Sequence, residues 1–218
     1  MDEKNQAIKV RKPKLPKVLE EISLANEDIL DEFSLCYGSI RDTAIQDIEA
    51  EKVCFSGLVF KNVVFHHCNF RNMELMDIRF EECDLSNSSF NEAIIHRVEF
   101  INSKITGSNF SECTMRNVTF EKCNGKYSFF RFSNFKEVNL HECELSQGDF
   151  QGVQFSKTGF QQCNLREAQM TGAQLKGIDF SDCDIQGICV RIEDLIGIKV
   201  TALQAVDLSK LMGIVVKE

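Results

Sequence analysis

The chain has 218 residues, a net charge of −8 at neutral pH, 43% hydrophobic residues and ten cysteines. The acidic balance argues against a general phosphate-binding surface, so we expect no direct binding of nucleic acid. No apolar stretch reaches the length of a membrane span, and the N-terminus lacks the apolar core of a signal peptide. These features predict a cytoplasmic protein, and the length suits a single domain.

Residues 1–20 differ in composition from the rest of the chain. They contain both prolines, Pro13 and Pro16, and they carry six basic and three acidic residues. A short basic segment with proline is typical of disorder, so we predict a flexible arm over residues 1–20. The alternative is an arm that reaches a nucleic acid or an acidic partner.

Residues 21–200 follow a period of five. Every fifth residue from Leu30 to Val200 gives 35 positions, of which 34 are hydrophobic and one is Gly125. Neither a helix nor a strand has this period, but a short extended stretch followed by a corner does. The chain should therefore coil around a core, with the first and third residues of each block inside. The pattern is weaker between residues 20 and 50, which predicts a tapered first coil, with a short helix near residues 18–30 as an option.

Single blocks carry a small residue, then Asp or Asn, then a large apolar residue. This pattern resembles the pentapeptide-repeat proteins, and it appears in Cys83-Asp84-Leu85, Ser108-Asn109-Phe110 and Cys163-Asn164-Leu165. The resemblance implies an all-β fold, a right-handed quadrilateral parallel β-helix with four blocks per coil and about 8 coils. Residues 20 apart should then stack about 4.8 Å apart. Phe80, Phe100 and Phe120 should form one column inside the rod.

The outward positions separate by charge. The face centred on Met115 and Phe135 is basic, with Arg97, Arg116, Lys136, Lys157 and Lys176. A charged column is ordinarily a solvated face, and the alternative is a site for a protein partner. The candidate partner-binding residues are the acidic columns beside the phenylalanine stack, formed by Glu81, Glu82, Glu99, Glu121, Glu142, Asp179 and Asp182.

The repeat pattern is broken at Gly125, where the inward position has no side chain. Nearby, Tyr127, Phe129 and Phe132 fall at outward positions. Either a neighbouring aromatic side chain swings inward to fill the gap, or the three form an exposed apolar patch. Such patches often mark binding sites.

The cysteines occupy inward positions that hold serine or alanine in other blocks. Cysteine packs as a small hydrophobic residue, so we interpret these thiols as core and predict no disulfide framework. His66 and His67 lie at a corner while Cys68 points inward, so they should not converge on a metal. We predict no metal site, no cofactor and no catalytic group, and therefore no enzyme. The inward cysteines are Cys68, Cys83, Cys113, Cys123, Cys143, Cys163 and Cys183.

Residues 201–218 should close the rod. Thr201 and Gln204 form a capping-box pattern at the start of a helix of about ten residues, and Gly213 can end it. Residues 214–216 are predicted to form a short strand. Apolar residues left over on this cap could pair two rods about a two-fold axis. The cap and dimer residues are Leu203, Val206, Leu211, Met212 and Ile214.

The resemblance also carries a functional expectation. The Qnr-type quinolone-resistance members of the family are similar in length and end in a helix that pairs two rods. The resemblance to these members implies that this chain is a DNA-mimicking protein that binds DNA gyrase or topoisomerase IV through its acidic columns and protects the enzyme from quinolones. Several such relatives have loops that interrupt the repeat, and this chain has none; its basic arm and basic face also do not suit a pure DNA mimic. The alternative is a protein–protein interaction rod with an unrelated partner.

Overall fold

The computed structural model describes residues 8–217. The backbone takes a left-handed conformation every five residues, two positions after each central apolar residue, as at Asp47 (φ 54°), His67 (φ 52°) and Gly107 (φ 66°). A residue in the left-handed conformation turns an extended chain through a corner, and Asn, Asp and Gly tolerate this conformation best. These residues make the corners that the period of five predicts.

Within residues 8–217 the elements are eleven short strands, one α-helix and three 3₁₀ turns. The 3₁₀ turns are Asn26–Asp28, Ile192–Leu195 and Lys210–Met212, and the helix α1 is Ala202–Ser209. The strands are β1 Ser34–Arg41, β2 Ala44–Gln46, β3 Glu49–Glu51, β4 Cys54–Lys61, β5 Val64–His66, β6 Asn69–Arg71, β7 Glu74–Glu81, β8 Ile94–Ile101, β9 Thr114–Glu121, β10 Asn134–His141 and β11 Gln154–Gln161.

The strands stack in parallel with an offset of one coil. The main sheet has seven strands in the order β1-β4-β7-β8-β9-β10-β11, and two smaller sheets pair β2 with β5 and β3 with β6. Ile78 pairs with Val98 and Val98 with Val118, so partners are 20 residues apart. Single bridges continue this offset as far as Asp179 and Lys199. The predicted parallel β-helix is confirmed.

The core consists of the register residues and the small residues that precede them. The ring centroids of Phe80 and Phe100 are 4.9 Å apart, and those of Phe100 and Phe120 are 4.7 Å apart, with nearly parallel planes. A second column runs through Phe90 and Phe110 at 5.0 Å. The predicted phenylalanine column is therefore confirmed.

Two details of the register differ from a uniform repeat. Leu30 is 67% exposed, whereas its neighbour Ile29 is 3% exposed, so the first coil begins one residue out of register. At Gly125 no aromatic residue turns inward. The gap is closed by the neighbouring coils, because a Cβ there would lie 2.9 Å from Leu145 Cδ2 and 3.1 Å from Ile105 Cγ1.

The predicted flexible arm needs a correction. Its residues 1–7 lie outside the described residues, but residues 8–20 lie along the outside of the rod. The backbone N–H of Arg11 donates to Asn117 Oδ1 at 3.0 Å, and that of Lys14 donates to Asp77 Oδ1 at 2.8 Å. Apolar residues that alternate with basic ones allow an extended chain to lay one side on the rod. The optional helix near residues 18–30 is reduced to the single turn Asn26–Asp28.

The C-terminal cap begins as predicted. Thr201 Oγ1 accepts from the N–H of Gln204, and Gln204 Oε1 accepts from the N–H of Thr201. Gly213, with φ 75°, follows the last helical turn. The predicted strand over residues 214–216 is wrong, since these residues are exposed and have no strand partner in the described part of the chain. Among residues 8–217, no helix has the length and apolarity that crossing a membrane would require.

Candidate functional site

The acidic columns lie on one face of the rod, but they are not uniformly available. Glu82, Glu142 and Asp182 are exposed, and Glu81, Glu121 and Asp179 are half-buried. Glu99 is only 7% exposed and so cannot act as a surface acid. Its burial corrects the prediction that placed it in the partner-binding site.

Ion pairs neutralise the part of this face that lies in the coils nearer the N-terminus. Arg79 Nε lies 2.9 Å from Glu99 Oε2, and its Nη1 lies 3.5 Å from Glu81. Lys61 also approaches Glu81 at 3.8 Å. Pairs of this kind between stacked coils screen the charge that a partner would meet. The four acidic residues of the predicted columns with no ion pair among the described residues are Glu82, Glu121, Asp179 and Asp182.

The basic face lies around the next corner of the coil. Arg116, Lys136, Lys157 and Lys176 are exposed there, one coil apart from each other along the rod. Arg97 is different, because its guanidinium pairs with the carboxylate of Asp77. Burial would raise the pKa of Asp77, but Arg97 and the backbone N–H of Lys14 outweigh it and hold that pKa below its ordinary value.

The arm occupies the corner beside this basic face. Along that corner, Asp77 is 8% exposed and Asn117 is 2% exposed, although both are outward positions of the repeat. The equivalent residues at another corner, such as Asn87, are exposed. The arm lies close to the backbone of Gly159, since a Cβ there would lie 2.8 Å from Ile8 Cδ1. The corner is therefore shaped to receive the arm.

Sequence reasoning did not find this docking site. The available signal was the alternation of Ile8, Lys9 and Val10 and of Pro13, Lys14 and Leu15, which is that of an extended segment with one apolar side. The partners on the rod could not be found from spacing, because Asp77 and Asn117 have the same outward position in the repeat as many solvated polar residues.

The aromatic residues near Gly125 are exposed. Tyr127 is 54% exposed, Phe129 38% and Phe132 62%. The Arg131 guanidinium lies over the Phe129 ring, with 5.4 Å between its carbon and the ring centroid. Of the two interpretations, the exposed one is therefore correct, and these three residues are called the aromatic patch below.

All ten cysteines are free, and the seven inward ones are buried. Burial raises the pKa of the Cys113 thiol to about 12 and those of Cys68 and Cys83 to about 11. Six of the seven buried Sγ atoms lie within hydrogen-bonding distance of a backbone carbonyl, as Cys113 does with Phe90 O at 3.1 Å, whereas Cys183 Sγ contacts Asp182 Oδ1 at 3.5 Å. Burial therefore keeps the thiols of Cys68, Cys83 and Cys113 protonated, and all seven buried cysteines are packing groups, as predicted.

One group of possible metal ligands exists among the described residues, whereas the sequence predicted no metal site. His66, His67 and Asp47 bring their ligand atoms within 4.8 Å of one another, while Cys68 is buried. His67 Nδ1 lies 3.4 Å from Asp47 Oδ1, one coil away. Two imidazoles and a carboxylate suit a divalent transition metal, but all three residues are exposed.

The C-terminal cap leaves a large apolar surface uncovered. Leu203 is 76% exposed, Met212 61% and Ile214 49%, and Val206 and Leu211 are 41% and 42% exposed. A cleft of about 890 Å³ lies between α1 and the last coil, with Ile185, Leu208 and Leu211 in its lining. Gln204 Nε2 fixes α1 to the end of the rod by donating to Phe180 O and Cys183 O.

The fold is that of a parallel β-solenoid with a 20-residue coil, whose charged and aromatic side chains stand in columns. The comparisons with known proteins agree with this class. A family model described as a pentapeptide repeat region matches residues 73–150, and another, described as pentapeptide repeats (8 copies), matches residues 149–187. Together they cover more than half of the chain, which belongs to the pentapeptide-repeat family.

Solved structures of similar proteins include QnrB1, a plasmid-mediated fluoroquinolone resistance protein. Its full-length structure is 19% identical with a TM-score of 0.49, over 81% of this chain and 100% of that one. The pentapeptide repeat protein Rfr23 from the cyanobacterium Cyanothece is 15% identical with a TM-score of 0.46, over 54% of this chain and 91% of that one. A search of curated proteins gave no significant match.

Proposed function

We propose that this protein is a non-catalytic, cytoplasmic binding rod that occupies the DNA-binding surface of a type II topoisomerase, DNA gyrase or topoisomerase IV, and protects it from quinolones. The observation that carries the proposal is the set of free carboxylates on one face, Glu82, Glu121, Asp179 and Asp182. They extend over five coils, or about 24 Å, at the spacing of stacked strands. A straight rod with a line of negative charge offers a DNA-binding groove the charge that it is built to receive.

The free thiols support the proposed location. Among the described residues none of the ten cysteines forms a disulfide, and three of them are exposed or half-buried. A reducing compartment keeps such thiols free, whereas an oxidising one promotes disulfides.

The test is direct binding of the purified rod to topoisomerase subunits in the absence of DNA. Omitting DNA is essential, because any contact of the rod with DNA would also alter a supercoiling assay. We expect the combined variant Glu82→Gln, Glu121→Gln and Asp182→Asn to weaken binding at least tenfold. The matched control replaces three carboxylates of another face, Glu49→Gln, Glu51→Gln and Glu112→Gln, which gives the same change of charge.

Equal loss in both variants would show that net charge, and not this face, is responsible. No binding at high micromolar concentrations would overturn the proposal. When binding is found, supercoiling by gyrase with and without a quinolone tests protection: the wild-type rod should restore activity near stoichiometric amounts, and the triple variant should not.

We also propose that two rods pair through the C-terminal cap. The exposed Leu203, Val206, Leu211, Met212 and Ile214 form an apolar surface that a soluble monomer rarely leaves in contact with water. Sedimentation should give a dimer for the wild-type protein and a monomer for Leu203→Glu with Met212→Glu. A monomeric wild type at high micromolar concentrations would contradict this pairing.

A second candidate function is favoured by the aromatic patch. Tyr127, Phe129 and Phe132 are exposed on a polar surface, where aromatic side chains often act as interface anchors. Tyr127→Ala with Phe132→Ala should leave topoisomerase binding unchanged under the first proposal. If the patch contacts an unrelated protein partner, the double variant should lose that partner in a pull-down from cytoplasmic extract while the carboxylate variant keeps it.

A further inference from the structure

The docked arm changes the charge of the surface on which it lies. Residues 8–15 alternate between half-buried and exposed: Ile8, Val10, Pro13 and Leu15 are half-buried. The exposed residues are Lys9, Arg11, Lys12 and Lys14. The arm therefore fixes a row of cations along the length of the rod with their side chains toward solvent.

The position of this row is set by a match between two spacings, the distance between contact residues along the arm and the distance between coils of the rod. Arg11 bonds Asn117 and Lys14 bonds Asp77, so three residues of the arm advance by 40 positions of the rod, or two coils. Three extended residues span about 9.9 Å, and two coils span about 9.6 Å. Ile8 follows nearly the same ratio, since it contacts the site of Gly159, which is 42 positions, or two coils and two residues, beyond Asn117. The arm is thus held at regular intervals over four coils.

The row lies beside the basic face of the rod. His96, at that corner, has its pKa lowered by its burial and by the nearby cations Arg97, Arg116 and Arg11. The backbone N–H of Arg11 donates to Asn117, the chain neighbour of Arg116, so the cations of the arm and those of the rod meet at this corner. We define the basic strip as these two adjoining rows, formed by Lys9, Arg11, Lys12, Lys14, Arg116, Lys136, Lys157 and Lys176.

Most cations of the basic strip have no anionic partner. Among residues 8–217, none of the four arm cations has an ion pair within 4.0 Å, and neither Lys136 nor Lys176 has one. Arg116 and Lys157 share the single carboxylate of Glu137, at 3.6 and 3.8 Å. The protein has a net charge of −8, so its overall electrostatic potential is negative. A line of unpaired, solvent-exposed cations makes the potential locally positive along the strip.

We propose that the basic strip binds the phosphate backbone of nucleic acid, independently of the topoisomerase contact proposed above. A straight row of cations suits a polyanion of constant charge spacing, and duplex DNA carries one charge per about 1.7 Å of its axis. An acidic protein segment would ordinarily need apolar anchors as well. Between Arg116 and Lys176 this face has no exposed large apolar side chain among the described residues, and those that it does expose, Met76 and Ile94, lie in the coils before Arg116. The net charge of the protein led us to expect no binding of nucleic acid. At this strip the local positive charge, and not the net charge, determines binding, so the proposal replaces that expectation.

The experiment measures fluorescence anisotropy of a labelled 20-base-pair duplex with the full-length protein at 50, 100 and 200 mM salt. The contacts are to phosphates, so we expect binding without sequence preference, weakening steeply with salt by about 0.9 log units per decade for each contact. The arm variant Lys9→Gln, Arg11→Gln, Lys12→Gln and Lys14→Gln should bind at least tenfold more weakly at 50 mM salt. Its salt slope should fall by about 2 to 4.

Two further variants make the result specific to the strip. Lys136→Gln with Lys176→Gln leaves the arm intact and should weaken binding about threefold to tenfold. The matched control replaces four exposed or half-exposed lysines of other faces, Lys61, Lys104, Lys122 and Lys126, by glutamine. It has the same net charge as the arm variant and should bind within twofold of the wild type.

Four outcomes would overturn the proposal. The first is no binding at 50 mM salt, and the second is equal loss in the arm variant and in the matched control. The third is displacement of the duplex by poly-glutamate at equal charge concentration, which would assign the strip to acidic protein segments. The fourth is weaker binding by the arm variant while Lys136→Gln with Lys176→Gln binds like the wild type, which would reject the joint strip. Because surface Lys→Gln changes leave the core intact, each variant should keep the wild-type melting temperature.

Discussion

The backbone N–H of Lys14 donates to Asp77 Oδ1 at 2.8 Å, although the two residues are 63 positions apart in the chain. The same carboxylate pairs with Arg97 from the next coil. One buried acid thus joins the arm, the corner where it docks and the following coil. This relationship places a basic segment on an acidic rod, and it makes the arm a structured part of the molecule.

Removing the other arm contact should expose the arm to proteolysis. Asn117→Ala removes the oxygen that accepts from the N–H of Arg11. We expect trypsin to cleave the arm of this variant several-fold faster than that of the wild type, because cleavage needs a locally detached chain. Asn87→Ala is the matched control: Asn87 has φ 58° and Asn117 φ 56°, so both lose an asparagine from a left-handed corner, but only Asn117 holds the arm. Equal rates in the two variants would contradict the docking.

The closed gap at Gly125 predicts a coupled effect on stability. Gly125→Leu should lower the free energy of unfolding by about 1–3 kcal/mol, because Leu145 and Ile105 already fill the space. Leu145→Ala alone should cost about 2–5 kcal/mol through the cavity that it leaves. The double variant should lose less than the sum, since the new leucine can fill that cavity. Strict additivity in urea denaturation would show that these side chains do not share the space.

The burial of the thiols predicts their reactivity. At pH 7.5, a maleimide should label Cys36 and Cys189 rapidly, since both are exposed, and Cys54 more slowly. The seven buried cysteines should react only after denaturation, because burial excludes the reagent. At Cys68, Cys83 and Cys113 burial also raises the pKa of the thiol, which keeps it protonated. Mass spectrometry of the native and of the unfolded protein gives the number of labelled cysteines in each state. Fast labelling of Cys113 in the native protein would mean that the core opens readily.

The last turn before the cap predicts a dependence on pH. Hydrogen bonds from Arg191, with further ones from the backbone N–H groups of Gly172 and Arg191, lower the pKa of Asp194 to about 2. Since the folded pKa lies below the ordinary value near 3.8, the stabilisation is complete above pH 4 and is lost as the pH falls toward 2. Asp194→Asn should therefore cost about 1 kcal/mol at pH 7 and almost nothing at pH 2.

Chemical denaturation at the two pH values checks this difference. Asp182→Asn is the control, because Asp182 is exposed and has no ion pair among the described residues. A cost for Asp194→Asn that stays the same at both pH values would exclude the ionised carboxylate as its source.

For the candidate site, the sequence predicted which residues point outward better than it predicted which of them are exposed and unpaired. The acidic columns stand where the register of the repeat places them, yet Glu99 is buried beside Arg79 and Glu81 is paired. Period and register state which residues point outward, but not which outward neighbours neutralise each other. In the same way, the sequence left the state of Tyr127 open, and the packing of Ile105 and Leu145 around Gly125 decided it.

The sequence by itself determined the β-helix, because a five-residue period fits only a short extended stretch and a corner, and burial of the register residues then requires the coils to stack. It also determined the start of the cap, since the Thr201 and Gln204 pattern is local. The tertiary structure alone decided where residues 8–15 lie and which charges remain free. Those contacts join residues far apart in the chain, such as Lys14 and Asp77, and no repeat or local propensity encodes such a pair.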